Sequence, residues 1–307
     1  MSTAPALPIV DISLFGKNDA GRAIVSSEVR HALENVGFLY VRGLPLAPAQ
    51  VDRAFATSRR FFESPPGLKR QHAYASVDAN FGYQGLEVES LDTSAPPDLK
   101  ESFTMRNALA VQNQVAWPDE EFRREAVAFY AASLMAAYRM LQIMAASLAL
   151  PADFFAERHL GQNVSLRFLH YPTNLAPRAH TQLGAGAHTD YGSITLLFQD
   201  EVGGLEVRGL DGQWRAAPRV PGCTLINTGD LMERWTNGRF RSTPHRVLPV
   251  SGARDRYSIA LFVDPDSAVN VECIPGCAAA GEAPRHPPIS AGEHIRERIA
   301  ASHVGRS

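Results

Sequence analysis

The chain has 307 residues, 45% of them hydrophobic, enough to bury one large core or two ordinary ones and too many for a disordered polymer. A formal net charge of -2 leaves no basic excess to hold a phosphate backbone or an anionic membrane surface, so neither nucleic acid nor membrane is an expected partner. Three cysteines, Cys223, Cys273 and Cys277, cannot form a disulfide framework, and the amino terminus lacks the basic flank and apolar run of a secretory signal, so reduced thiols in the cytoplasm are expected.

In chain order, residues 7–12 read as a short extended segment. Ser26 or Ser27 is predicted to cap a helix with Val29, Ala32, Leu33 and Val36 on one face, ended by Gly37 as a left-handed cap. A buried strand follows at 38–43. A second helix starts at Pro48, carries Val51, Ala54, Phe55, Ser58, Phe61 and Phe62 at helical spacing, and stops before Pro65 and Pro66. Between Gln71 and Gln114 the periodicity fails. Long irregular segments in compact domains are often binding loops, so this one is expected to wall a pocket.

From Pro118 a long helix is predicted. Acids fill its first turn, Phe122, Ala126, Phe129, Ala137, Leu141, Met144 and Leu148 share a face, and Pro151 ends it. Arg139 and Gln142 interrupt its apolar run, which favours a core helix over a membrane span. A further short helix begins at Asp153. Beyond 164 the pattern changes to short β-forming runs at 164–171, 193–199, 205–207, 214–216, 224–227, 246–250 and 257–263, divided by turn pairs such as Asp211-Gly212 and Asn237-Gly238. Such runs predict an antiparallel sandwich or barrel, with 205–207 and 214–216 as the clearest hairpin. The tail is loose and closes with a short helix near 293–300. Four regions, 1–115, 116–160, 161–265 and 266–307, are expected to form one structural unit.

The chemistry starts at His188 and Asp190, which head the β-forming run from Ser193 to Phe198. On a strand, residues two apart point the same way and lie roughly 7 Å apart, so an imidazole and a carboxylate converge on one ion. His245 is the best third ligand, because Pro244 suits a strand start. Two histidines and one carboxylate make the facial triad of non-haem Fe(II) oxygenases. Read as a strand, 256–262 puts Arg256, Ser258, Ala260 and Phe262 on one face. If that face is inward, Arg256 is a buried cation that requires an anion. A guanidinium beside a hydroxyl clamps a carboxylate, and a dicarboxylate such as 2-oxoglutarate would neutralise both Arg256 and the single positive charge of Fe(II) with one Asp. Two His and one Asp also suit zinc, which leaves a zinc hydrolase open, and a non-catalytic jelly-roll binding module is open too.

The motifs at 188–197, 226–230, 235–247 and 256–258, in that order, resemble the isopenicillin N synthase-like Fe(II)/2-oxoglutarate-dependent dioxygenases. Residues 7–11 and 37–43 are similar to that family's leading region, so the likeness spans nearly the whole chain. The resemblance implies an α+β fold with a mainly β core: a double-stranded β-helix, or distorted jelly roll, with helices packed outside. It implies iron on His188, Asp190 and His245, the co-substrate carboxylate on Arg256 and Ser258, and a hydrogen bond from Tyr171 to 2-oxoglutarate. Leu169 stands where many plant members carry asparagine. Asn227 and Asp230 are read as architectural.

The implied reaction oxidises an unactivated C–H bond of a small molecule with O2, releasing succinate and CO2. Hydroxylation is its commonest outcome, and desaturation or ring closure needs only another substrate pose. A same-fold oxidase that needs no 2-oxoglutarate is the close alternative. Tyr83, Phe103, Arg106 and Phe262 are the candidate substrate pocket, for a small hydrophobic metabolite or an amino-acid derivative. Nothing in the sequence encodes an oligomeric state.

Overall fold

The short β-forming runs build two sheets in the computed structural model, which describes residues 7–303 apart from 77–78, 93, 112–114, 174, 176–180 and 280. The larger sheet runs, edge to edge, β1 (Ile9–Asp11), β2 (Phe38–Arg42), β10 (Cys223–Thr228), β7 (Ile194–Gln199), β12 (Arg256–Val263), β5 (Val164–Tyr171), β4 (Glu101–Arg106) and β3 (Phe81–Gln84). The smaller runs β6 (Ala185–His188), β11 (His245–Val247), β8 (Leu205–Arg208) and β9 (Trp214–Ala216). Among the described strands of these two sheets, β1 and β2 pair in parallel and the other pairs are antiparallel. The predicted hairpin is β8 with β9.

Strand alternation divides the large sheet into two faces. Ile259, Leu261 and Val263 of β12 join Phe168, Leu196 and Ile226 under the helices. Ala260 joins Tyr40, Leu169, Tyr171 and Leu225 against Ala185, Leu205, Val207 and Val247 of the small sheet. This second, inner layer is a jelly-roll interior, and it carries the chemistry.

The helices cover the outer face. α1 (Asp19–Asn35) starts earlier than the serines suggested. Asn18, in extended backbone, accepts from Gly21 N at 2.8 Å and caps it, whereas Ser26 lies buried inside the helix. Gly37 follows with φ 74°, as a left-handed cap requires. α2 (Pro48–Phe62) places proline in its first turn. After the short α3 (Pro66–Arg70) and α4 (Ala108–Val111), α5 (Glu120–Ser147) begins where Asp119 Oδ1 accepts from Phe122 N at 2.7 Å. By length and composition α5 could cross a membrane, but 56% of its apolar window is buried, and it packs on α1, α2 and β12. At 153–155 the chain makes turns leading into a single 3-10 turn, Ala156–Arg158, in place of the expected short helix.

The segment read as irregular is more regular than its sequence suggested, since it contains β3, β4 and α4. Within it Glu101 is only 3% exposed because Lys69 Nζ meets both its oxygens at 2.8 Å and His170 Nδ1 lies 2.7 Å away. Those partners are remote in sequence, so no local pattern announces them.

This register moves Phe103 out of the pocket and into the core. It pairs with Phe168 and meets Phe61, Phe122 and Phe81 edge-on at 4.9, 5.0 and 5.6 Å. Phe103→Ala is therefore expected to cost about 3–5 kcal/mol of stability while leaving the turnover of the folded fraction unchanged. Denaturant titration alongside kinetics measures both.

Candidate active site

β6 ends at His188 and Asp190 lies just beyond it, ahead of a bend at 191–193, so the two candidate ligands are not on one strand as expected. They still converge, because the carboxylate is drawn back. Thr195 Oγ1 and Asn227 Nδ2 donate to Asp190 Oδ2 at 2.5 and 2.7 Å, leaving Oδ1 facing the imidazoles. Asn227, read as architectural, thus touches a ligand directly. It sits there because β10 pairs with β7 in the register Asn227 to Thr195, a pairing no local motif reveals.

His245 is the cross-strand partner of His188, with ring centroids 4.2 Å apart. Nδ1 of His188 lies 2.8 Å from Gly186 O and Nδ1 of His245 lies 3.2 Å from Thr243 O. A ring nitrogen that faces a carbonyl must donate, which leaves Nε2 of each ring as a lone-pair donor. Those atoms stand 3.8 and 3.7 Å from Asp190 Oδ1, and the candidate donors all lie within 4.8 Å of one another. Two neutral nitrogens and one carboxylate oxygen on one side of a point fit a divalent metal in a facial arrangement.

Electrostatics favour the same protonation states. Burial, helped by neighbouring His245, pushes the His188 pKa down to about 3, so the ring is neutral. Burial alone would raise Asp190. His245, His188 and the bonds from Thr195 and Asn227 hold it below the usual carboxylate range.

Asp230 ties the two halves together. Its N donates to Asp190 O at 2.8 Å, while its carboxylate accepts from Thr189 Oγ1 at 3.3 Å and Ser242 Oγ at 2.6 Å. Arg298 of α7 (Ala291–His303) pairs with it at 2.9 Å. Through Asp230, α7 is linked to the segment that carries Asp190.

Arg256 points into the same interior and is 1% exposed. Its Nη1 donates to Ser258 Oγ and its Nη2 to Gln199 Oε1, both at 3.2 Å, and its guanidinium lies 4.6 Å over the Tyr171 ring. Nε has no partner, and among the described residues no carboxylate comes within salt-bridge range. A buried cation held only by neutral groups is an anion site. Gln199 was missed by the sequence reading, although alternation from Thr195 puts it on this face. A cavity of about 970 Å³ between α2 and the Asp255 end of β12 is lined in part by Gln199 but by none of His188, Asp190 and His245.

A 2OG-Fe(II) oxygenase superfamily model matches residues 162–265, and a model described as non-haem dioxygenase in morphine synthesis N-terminal matches 7–124. The 2-oxoglutarate-Fe(II) type oxidoreductase hxnY of Emericella nidulans is 34% identical over 96% of this chain and 89% of its own length. The chain belongs to the 2-oxoglutarate-Fe(II) oxygenase superfamily. It is a dioxygenase that works with Fe(II), 2-oxoglutarate and O2. A full-length Neurospora crassa protein solved with alpha-KG superposes with a TM-score of 0.88 at 29% identity, over 97% of this chain and 96% of that one, and the same protein was solved with thymine. JOX2, solved with 2OG, Fe and JA, gives 0.81 at 25% identity, over 99% and 87%.

Of the expected pocket residues of this dioxygenase, two reach the triad's face. Arg106 and Phe262 both flank Ser165 of β5 on the inner side, and Arg106 Nη2 donates to Asn163 Oδ1 at 2.8 Å. Tyr83 and Phe103 face the helices. Tyr83 packs on Phe61 and gives its hydroxyl to Glu101. A one-residue alternation along β3 and β4 decides the difference.

His159, beneath the ligand turn, supplies a pH dependence. It is 0% exposed, with Nδ1 2.7 Å from Phe155 O and Nε2 2.9 Å from Ser193 Oγ, and burial lowers its pKa to about 4. Below pH ~6.5 the unfolded imidazole takes up a proton that the folded one refuses. Stability is therefore complete above that pH and should fall by about 3 kcal/mol as pH drops to about 4. Melting curves of wild type and His159→Gln across this window should converge toward acid.

Proposed function

We propose that His188, Asp190 and His245 hold Fe(II), that Arg256 and Ser258 hold the far carboxylate of 2-oxoglutarate with Tyr171 lining its path, and that the enzyme hydroxylates a C–H bond of a small molecule. The observation that carries this reading is the pairing, in one interior, of a three-donor set with a buried arginine that lacks an anion. When bound, iron and co-substrate supply an O2-derived oxidant, with succinate and CO2 as co-products. The chain's own residues position and insulate. Neutral His188 and His245 donate lone pairs, Asp190 provides the compensating charge, and Thr195 and Asn227 fix which carboxylate oxygen faces the metal. Arg256 fixes the co-substrate's direction, and the apolar layer around Leu169, Leu225 and Ala260 keeps water out.

The substrate approaches over Phe262 and Arg106. Arg106 keeps a buried Nε without a partner, which suits a molecule with an oxygen acceptor on one side and an apolar edge for Phe262 on the other. Thymine bound by the Neurospora neighbour supports a substrate of that size. Anaerobic Fe(II) followed by 2-oxoglutarate should give a visible charge-transfer band, and its absence from wild type would sink the reading. With a panel of oxygen-bearing small molecules, succinate release matched to O2 uptake and to products that gain one oxygen atom is expected. Turnover without succinate would indicate the oxidase, and loss of two hydrogens would indicate desaturation.

A further inference from the structure

Beside β6, four charges are gathered inside the jelly roll: Asp98 and Lys100 just before β4, Glu89 upstream, and Arg167 on β5. Lys100 Nζ lies 2.5 Å from Asp98 Oδ2 and 3.1 Å from Glu89 Oε2, and Arg167 holds Glu89 with both Nη atoms at 3.0 and 3.2 Å. Asp98 and Lys100 are 2% and 3% exposed. Two cations and two carboxylates cancel, so unlike Arg256 this cluster requires no ligand. Four buried charges are also a poor source of stability, since apolar side chains of similar volume often do as well. What distinguishes the cluster is where it leads.

Asp98 Oδ1 turns away from Lys100 and accepts from Gly186 N at 2.9 Å. Gly186 O is the carbonyl that faces His188 Nδ1 at 2.8 Å. The approach is close enough to need glycine, because a Cβ at 186 would stand 2.8 Å from Asp92 N. A bond from Leu99 N to Leu183 O at 2.9 Å holds the same two segments together. A neutral imidazole has two tautomers, and the partner of one ring nitrogen decides which the other presents.

We propose that Asp98, anchored by Lys100, is a positioning residue for His188: it fixes Gly186, whose carbonyl selects the tautomer that turns Nε2 toward the metal. The proposal rests on the reading of the triad as an iron site. His245 provides an internal comparison, since its Nδ1 faces Thr243 O and no link from Asp98 reaches it.

The test uses full-length, metal-free protein with 15N-labelled histidine, so that ring tautomers are read by NMR without turnover. Wild type should show His188 as the Nδ1–H form. Asp98→Ala should show both tautomers at His188 with His245 unchanged, and Fe(II) affinity should fall roughly 10- to 100-fold, the range for outer-shell partners of metal ligands. Asp98→Asn keeps an oxygen for Gly186 N and should restore the single tautomer and most of the affinity. Glu89→Gln weakens the cluster without touching Gly186, so it should lower the melting temperature and leave the tautomer alone. A single Nδ1–H form with wild-type Fe(II) affinity in Asp98→Ala overturns the proposal, as does an equal tautomer shift in Glu89→Gln. Should Asp98→Ala not fold, Asp98→Thr, too short to reach Gly186 N, takes its place under the same criteria. Wild type that binds no Fe(II) yet shows the predicted tautomers would overturn the iron reading alone.

Discussion

Asp190→Ala is expected to abolish iron-dependent turnover and to weaken Fe(II) binding by more than the roughly 10- to 100-fold typical of changes outside the ligand shell. The residue supplies the only charge among the three donors, and both histidines face its Oδ1. Alanine removes that charge and also leaves Thr195 Oγ1 and Asn227 Nδ2 without their acceptor, at a cost of about 1–3 kcal/mol for each buried group left unpaired. Part of that cost is returned in the metal-free protein, because a buried carboxylate no longer has to be desolvated. A modest fall in melting temperature is therefore expected alongside a complete functional loss. Asp190→Asn separates the two effects: its amide oxygen still accepts from Asn227 or Thr195, so stability should be nearly retained while a neutral ligand replaces an anionic one. Iron titration and succinate release measured on both variants check this, and retained turnover in Asp190→Ala would remove Asp190 from the metal shell.

The ligand set was legible because its residue types are scarce and each implies chemistry: a His-x-Asp pair, a His after proline, and an Arg-x-Ser on an alternating strand. Alternation also gave the direction of Arg256, since β12 pairs along its whole length with β5 and so keeps strict period two. What the sequence withheld depends on pairing between distant segments. Thr195 and Asn227 converge on Asp190 only through the β7–β10 register, and Gln199 reaches Arg256 only because β7 lies beside β12. The same applies to β3 and β4. Glu101 and Ser102 of β4 are buried through Lys69, His170 and Arg167, all remote in sequence, and without that register the side on which Tyr83, Phe103 and Arg106 face could not be assigned. Helix boundaries erred for a different reason. Two serines made plausible caps at 26 and 27, but Asn18 offers the same acceptor chemistry more than two turns earlier, and the buried face extends back to Gly21.

Arg256→Met is expected to raise the KM for 2-oxoglutarate by roughly 30- to 4,000-fold, the equivalent of losing about 2–5 kcal/mol from a buried, hydrogen-bonded charge pair. Methionine keeps an unbranched stem of similar reach and removes the guanidinium, so the cavity term that complicates alanine is small. In the metal-free protein the arginine is a desolvated cation held by Ser258, Gln199 and the Tyr171 ring alone. Its removal should leave the melting temperature unchanged or raise it, since an unpaired buried charge stabilises nothing. Fe(II) affinity without co-substrate should be unaffected, because none of the triad's contacts involves Arg256. Arg256→Lys should not rescue the KM: a compact ammonium cannot engage Ser258, Gln199 and a carboxylate in one plane. The combination of a raised co-substrate KM, unchanged iron binding and undiminished stability is diagnostic of a residue kept for an anion. If KM is unchanged in Arg256→Met, the carboxylate is held elsewhere and the charge on β12 has lost its explanation.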